Sequence, residues 1–308
     1  MTAHFLTVPD LSIEEMQRVL SLAAAPIDTL ARPLGGQGVA LIFEKPSNRT
    51  RQSMEMAVVQ LGGHPVYTRG EEVGLDEREP VEDVTRIMAG YHAVIAARVY
   101  DHTVVERMAA VSPAPIVNML SDHSHPLQAL ADVLTMVERL GVLARRRVAY
   151  VGDFNNVCRS LTEACVMLGA DVRLACPEGY CASDGELARI DALGPGTVEQ
   201  TGDPFAAVDR ADVVHTDTWT SMGQESEKGR RKEVFGRYQV NATLMERARD
   251  DASFMHCMPA YRGCEVTADV IDGPRSLVIR QGHNRMHAAR GLLAHLVTRT
   301  GDRGSVPA

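Results

Sequence analysis

Short apolar runs alternate along this chain with stretches in which apolar residues return every three or four positions, and the alternation plays out twice. In the first half, Val39–Phe43, Pro65–Thr68, Ala93–Val99 and Pro115–Met119 have the length and branching of buried strands. Helical spacing falls near 12–25, 50–61, 80–91, 102–111 and 126–140. Arg145, Arg146 and Arg147 then make a polar break, after which strand-like runs restart at 148–153, 172–175, 211–215 and 253–256. A last helical pattern runs from about 286 to 298. Strand, helix, strand in repetition implies parallel sheets covered by helices on both faces. The expected fold class is α/β, with two doubly wound parallel-sheet domains. Ligands of such sheets collect at the carboxyl ends of the strands, so an active-site cleft is expected between the domains. The boundaries fall at 1–140 and 141–283, with a C-terminal helix at about 284–300 packing back on the first domain.

Composition narrows the function. The chain has 308 residues, 45% of them hydrophobic, which suffices for two sizeable cores. Its net charge of −8 offers no broad positive field, so neither nucleic acid nor an acidic membrane surface is an expected partner. No apolar run approaches the length of a membrane span, and Met1-Thr2-Ala3-His4-Phe5 lacks the basic-then-apolar character of a leader. The expected location is the cytoplasm. Cysteines 158, 165, 176, 181, 257 and 264 are scattered without a CxxC pair, which fits reduced thiols and no metal.

The candidate chemistry sits at predicted strand ends. Ser47-Asn48-Arg49-Thr50-Arg51 lies where the first strand turns into a helix, a place where unpaired N–H groups and the helix dipole favour an anion. Hydroxyls and guanidinium groups there suit a phosphate, although Ser47 or Asn48 could simply cap the helix. Arg98 closes another strand, as half of an ion pair or as an anion ligand. His125 and Gln128, three apart around Pro126, share a helical face; an imidazole donating to a carbonyl and an amide accepting from an NH2 group would match a carbamoyl group, and plain capping is the alternative.

In the second half, Asp217 opens Asp217-Thr218-Trp219-Thr220-Ser221-Met222-Gly223 and could hold an ammonium group. His256-Cys257-Met258-Pro259 follows another strand. Adjacent strand residues face opposite ways, so His256 and Cys257 do not by themselves form a nucleophilic dyad. Arg285 adds a further cation at the start of the last helix. Gly152-Asp153-Phe154-Asn155-Asn156 follows a strand but lacks the three-glycine spacing of a dinucleotide site.

Taken in order, SNRTR, ARVY, HPLQ, GDFNN, DTWTSMGQE, HCMPAYRG and HNRMH resemble the ornithine branch of the aspartate/ornithine carbamoyltransferases, from His4 to about Val297. The resemblance implies that residues 1–140 bind carbamoyl phosphate and 141–283 the amino acid. Ser47, Asn48, Arg49 and Thr50 would cradle the phosphate and Arg98 would bridge phosphate and carbonyl oxygens. His125 would bind that carbonyl, Gln128 the carbamoyl amine, and Arg285 would complete the pocket. Asn156 would meet the α-carboxylate, while Asp217, Ser221 and the Met222 backbone hold the α-amino end; Cys257 and Met258 would line the place of attack. Arg98, His125 and Cys257 are the implied catalytic groups. The resemblance further implies carbamoyl phosphate and L-ornithine as substrates, a homotrimer, and neither metal nor organic cofactor. Val73 stands where relatives carry Gln or His, and Phe154 where they carry a small residue. These departures leave room for a paralogue acting on another diamino acid such as 2,3-diaminopropionate; a non-catalytic regulator that binds carbamoyl phosphate is the other alternative.

Overall fold

The computed structural model describes residues 3–220 and 225–301, and they form two units. One unit runs to Leu134 and resumes at His283; the other is Thr135–Gly282. The boundaries thus fall inside two helices rather than in loops.

The first unit opens with α1 (Ile13–Ala24), whose start is fixed by a capping box: Ser12 Oγ accepts the Glu15 N–H and Glu15 Oε2 accepts the Ser12 N–H. There follow β1 (Gly38–Phe43), α2 (Asn48–Gln60), β2 (His64–Arg69) and the single turn α3 (Gly70–Val73). Then come α4 (Val81–Ala89), β3 (His92–Arg98), α5 (His102–Val111), β4 (Ile116–Leu120) and α6 (Pro126–Leu140). The strands are parallel in the order β2-β1-β3-β4. From Val39 to Phe43 every β1 residue is buried, as a strand covered on both faces requires.

The second unit continues with β5 (Arg147–Val151), α7 (Asn156–Met167), β6 (Asp171–Ala175), α8 (Asp184–Asp191), β7 (Thr197–Thr201) and α9 (Pro204–Val208). It is completed by β8 (Val213–Thr216), α10 (Lys228–Phe235), α11 (Ala242–Met245), β9 (Ser253–His256) and α12 (Ala268–Ile271). Its parallel sheet has the order β7-β6-β5-β8-β9. Both sheets therefore reverse direction of winding beside a central strand: between β1 and β3 in one, between β5 and β8 in the other. Those switch points are where crossovers diverge and leave the strand ends open.

Besides the helices between the strands of the second unit, which the sequence pattern does not delimit, β7 and α13 differ from the sequence expectation. The edge strand β7, Thr-Val-Glu-Gln-Thr, is half exposed, so it lacks the apolar run that marks a central strand. The final helix, α13 (Val278–Gly301), begins well before 284. Gly282 and a polar sequence hide its first turns, since an interior glycine costs about 1 kcal/mol against alanine. Tertiary contacts hold them: Val278 joins the second unit's core and Gln281 is 1% exposed. Within the first unit α13 lies against α1, and a side chain at Gly291 would begin 2.5 Å from the Val19 carbonyl oxygen. All six cysteines are free thiols, and no helix among the described residues is long and apolar enough to cross a membrane.

Candidate functional site

In the first unit the switch point places the end of β1 beside the end of β3, with Phe43 and Arg98 in register. Ser47 caps α2, its Oγ accepting the Thr50 N–H at 3.3 Å and donating to Thr50 Oγ1 at 3.0 Å. Thr50, 1% exposed, is the hub of this half-site: its Oγ1 also accepts from Arg285 Nη2 at 2.5 Å and from Arg98 Nη1 at 3.5 Å. Arg285 Nη1 donates to Gln128 Oε1 at 2.7 Å, and Gln128 Nε2 donates to Asp132 at 2.7 Å. Two buried guanidinium groups thus reach one neutral hydroxyl, an arrangement that favours an added anion. His125, 4% exposed, ends the loop after β4. Burial lowers its pKa well below the usual histidine range, and the charges of Arg285 and Arg98 lower it further. It is therefore a neutral imidazole at pH 7, able to donate to an oxygen without carrying charge.

The loop that carries His125 is set by β4. Asn118 Nδ2 donates to the Leu6 carbonyl at 2.9 Å and to Ser121 Oγ at 3.2 Å, and Ser121 Oγ accepts the Ser124 N–H at 3.2 Å. The remaining basic residues of the SNRTR stretch are not gathered at the hub. Arg51 pairs with Glu55 at 2.8 Å and lies over the Tyr67 ring at 3.6 Å. Arg49 and Asn48 stand exposed on the first turn of α2, where Asn48 Oδ1 accepts from Gln52.

In the second unit the switch point brings together the turn after β5 and the residue after β8. Asn155 caps α7, its Oδ1 accepting the Val157 and Cys158 N–H groups at 3.0 Å each, and its Nδ2 donates to Asp217 Oδ2 at 2.9 Å. Cys257, after β9, donates from Sγ to Asp217 Oδ1 at 2.9 Å. A carboxylate 6% exposed, held by one amide and one thiol, is suited to an amine. Asn156, expected to meet the substrate carboxylate, is the first residue of α7 and follows the Asn155 that contacts Asp217. Ser221 and Met222 lie outside the described residues.

A buried network supports Cys257 from below. His256 Nδ1 accepts the Met258 N–H at 2.9 Å, so Nε2 carries the proton and faces Glu265 Oε1 at 3.2 Å. The His256 N–H donates to Gln281 Oε1 at 2.9 Å. These bonds hold Met258 in the left-handed region, at φ 58°. Asp217, His256 and Cys257 offer ligand atoms within 4.8 Å of one another, yet both imidazole nitrogens are already engaged, which does not favour a metal there. Beside the site, Arg231 donates to Asp153 at 2.7 Å and to the Trp219 carbonyl at 2.8 Å, tying the residues after Asp217 to the turn after β5. Burial raises the Asp153 pKa, and Arg231 opposes the rise. Sequence reasoning passed over Asn155, Glu265, Gln281 and Arg231. In the sequence Asn155 stands in the stretch after a strand, and the fold brings its amide onto Asp217.

Comparison with known proteins decides the family. Residues 3–138 match the family model described as aspartate/ornithine carbamoyltransferase, carbamoyl-P binding domain, and residues 144–296 match the Asp/Orn binding domain of the same family. The chain belongs to the aspartate/ornithine carbamoyltransferase family. It is 44% identical over 310 residues to the ornithine carbamoyltransferase of Acidothermus cellulolyticus, covering 99% of each chain. The anabolic ornithine carbamoyltransferase of Pyrococcus furiosus is 44% identical over 297 residues, 94% of each. The solved Pyrococcus furiosus enzyme superposes with a TM-score of 0.90 at 43% identity, covering 95% of this chain and 96% of that one. Thr50, Arg98, His125 and Gln128 fall among the residues matched by the carbamoyl-P binding domain, and Asp217, Cys257 and Arg285 among those matched by the Asp/Orn binding domain.

Proposed function

We propose that the protein transfers the carbamoyl group of carbamoyl phosphate to the side-chain amine of L-ornithine, giving L-citrulline and phosphate in the biosynthetic direction. The observation that carries this reading is the meeting of Arg98 and Arg285 on the Thr50 hydroxyl beside a neutral His125. The relatives' full-length similarity and their printed activity support it. In this reading Ser47, Asn48, Arg49, Thr50, Arg98 and Arg285 hold the phosphate, His125 the carbonyl oxygen and Gln128 the carbamoyl NH2. Asn156, Asp217, Ser221 and Met222 hold the amino acid, with Cys257 and Met258 beside the attacking nitrogen.

The chemistry follows from charge. A neutral amine nitrogen bonds to the carbonyl carbon, whose oxygen becomes negative. The carbon–oxygen bond to phosphorus then breaks, and phosphate leaves with the electron pair and takes up the proton lost from nitrogen. Arg98, Thr50 and His125 aimed at the developing oxyanion lower the barrier; each such donor is worth about 10²–10³ in turnover. Asp217 favours the α-ammonium on binding, with the Asn155 amide and the Cys257 thiol each on one of its oxygens.

The reading includes a cytoplasmic homotrimer without metal or organic cofactor. Light scattering on the purified protein should give three chains. The function is tested by phosphate release with carbamoyl phosphate and a panel of ornithine, putrescine, lysine and 2,3-diaminopropionate, with citrulline measured by colour. A kcat/KM highest for any amine other than ornithine would overturn it.

A further inference from the structure

The turn that delivers His125 is closed by one hydroxyl. Ser121 Oγ, in the stretch between β4 and α6, is fully buried and meets two N–H donors, Asn118 Nδ2 at 3.2 Å and the Ser124 N–H at 3.2 Å. The backbone closes the same turn, the Ser121 N–H donating to the Ser124 carbonyl at 2.9 Å. A hydroxyl accepts twice and donates once. With two amides on its accepting side, Ser121 has its proton to place. His102 Nδ1 stands 2.7 Å away, whereas the Ser124 carbonyl is at 3.4 Å and already takes the Ser121 N–H.

That count fixes the imidazole. Nδ1 of His102 accepts, so the ring proton sits on Nε2, which faces Glu106 Oε1 at 4.0 Å. His102 opens α5 behind the Asp101 cap, and its backbone N–H donates to Asp122 Oδ1 at 3.0 Å; the Asp122 N–H in turn donates to the Tyr100 carbonyl at 3.0 Å. The start of α5 and the turn before His125 are thus tied by main-chain bonds and by one bond that depends on the state of an imidazole. A protonated His102 would set an N–H at Nδ1 against an oxygen already met by two donors, and the Ser121 proton would have to turn to the Ser124 carbonyl. Around the ring stand Glu106 on the same helix, Asp101 at its cap, Asp122 and His123 on the turn, and Asp10 from the segment before α1; the His123 ring lies 5.1 Å from that of His102. Burial lowers the His102 pKa from the ordinary 6.5, and the four carboxylates oppose the fall, so the neutral acceptor prevails at pH 7.

We propose that His102 is a positioning residue for the transfer: by taking the Ser121 hydroxyl proton it commits that oxygen to Asn118 and Ser124, and so fixes the turn that sets the His125 imidazole toward the carbonyl oxygen. This rests on the function proposed above. The test compares His102→Asn, whose Oδ1 stands two bonds from Cβ as Nδ1 does and takes no proton, with His102→Leu, which offers no acceptor. At pH 7.5 His102→Leu should lower kcat for citrulline formation about tenfold, the worth of one hydrogen bond, while KM for ornithine stays within about twofold. His102→Asn should recover most of that loss. The ratio of wild-type to His102→Asn kcat should then be flat from pH 7 to 8 and fall about threefold by pH 5, as the wild-type imidazole takes a proton; ionisation of the amine substrate is common to both proteins and cancels. A His102→Leu enzyme as fast as an active wild type, a His102→Asn enzyme as slow as His102→Leu, or a ratio that stays flat to pH 5 would each overturn this inference alone. If His102→Leu does not fold, the His102→Asn rate and the pH ratio decide. A wild-type protein that forms no citrulline would overturn the functional reading, and this inference with it.

Discussion

Removing the charge of Arg98 while keeping its bulk, as in Arg98→Met, separates an anion site from a structural ion pair. Arg98 and Arg285 each reach Thr50 Oγ1, at 3.5 and 2.5 Å, so their nitrogens lie no more than about 6 Å apart. At an effective dielectric constant near 20, two unit charges at that separation repel by ~3 kcal/mol. A phosphate entering among them reverses the sign of that interaction. Losing Arg98 should therefore weaken inorganic phosphate by roughly 2–3 kcal/mol, about 30- to 150-fold, as expected for a charge-assisted hydrogen bond in a buried place. Turnover should fall by about 10²–10³, because the same guanidinium would face the oxyanion. The assay has two arms: initial rates of citrulline formation, and the rise in thermal midpoint with added phosphate. For wild type a phosphate concentration 100-fold above Kd should stabilise by about 2.7 kcal/mol, and the variant should show little of this at the same concentration. Far-UV circular dichroism serves as the control for folding. A folded Arg98→Met protein that loses less than tenfold in kcat/KM for carbamoyl phosphate, or that phosphate still protects fully, would refute the reasoning.

Other outcomes follow from single contacts. Asp217→Asn keeps the shape of the carboxylate but not its charge, so KM for ornithine should rise about 10- to 100-fold in steady-state kinetics while that for carbamoyl phosphate stays within about threefold. Gly291→Ala would place a methyl 2.5 Å from the Val19 carbonyl and 2.8 Å from the Ala23 nitrogen, and calorimetry should show a loss of about 1–3 kcal/mol. Glu186 is drawn down from 4.5 to about 2 by hydrogen bonds from Arg189 and, against some desolvation, from Arg159. Its folded pKa is depressed, so its stabilisation is complete above about 4.5 and is lost as pH falls toward 2. The gap in thermal midpoint between wild type and Glu186→Gln should accordingly shrink from pH 5 to pH 2.5, and a constant gap would contradict the assignment.

The elements that repay reading in the sequence are those whose burial is total. Val39–Phe43 announces β1 because no face of it meets water, and Ser47 announces the helix that follows because its hydroxyl has a backbone N–H to serve. β7 goes unread for the opposite reason: as the edge of its sheet it is free to carry Thr197, Glu199 and Thr201, which read as loop. The start of α13 is concealed because its reward is tertiary, through Gln281 and Val278, while its local propensity is poor. At the site, residue types that suit an anion are visible in the chain, but selection among them is geometric. Arg49, Arg51, Arg98 and Arg285 look alike in sequence; the fold turns Arg51 onto Tyr67 and sends Arg98 and Arg285 to Thr50.

Arg285 reaches Gln128 across 157 residues of intervening chain, and that separation bears on how the molecule is made. As the ribosome extends the nascent polypeptide at about 5–20 residues per second, Thr50, Arg98 and His125 emerge long before Arg285 does, a wait of roughly 8–50 s. The amino-acid unit, Thr135–Gly282, is contiguous and can fold on emergence. The unit translated first is thus the one whose last residues emerge last, and a chain terminated early lacks the Arg285 contacts to Thr50 and Gln128.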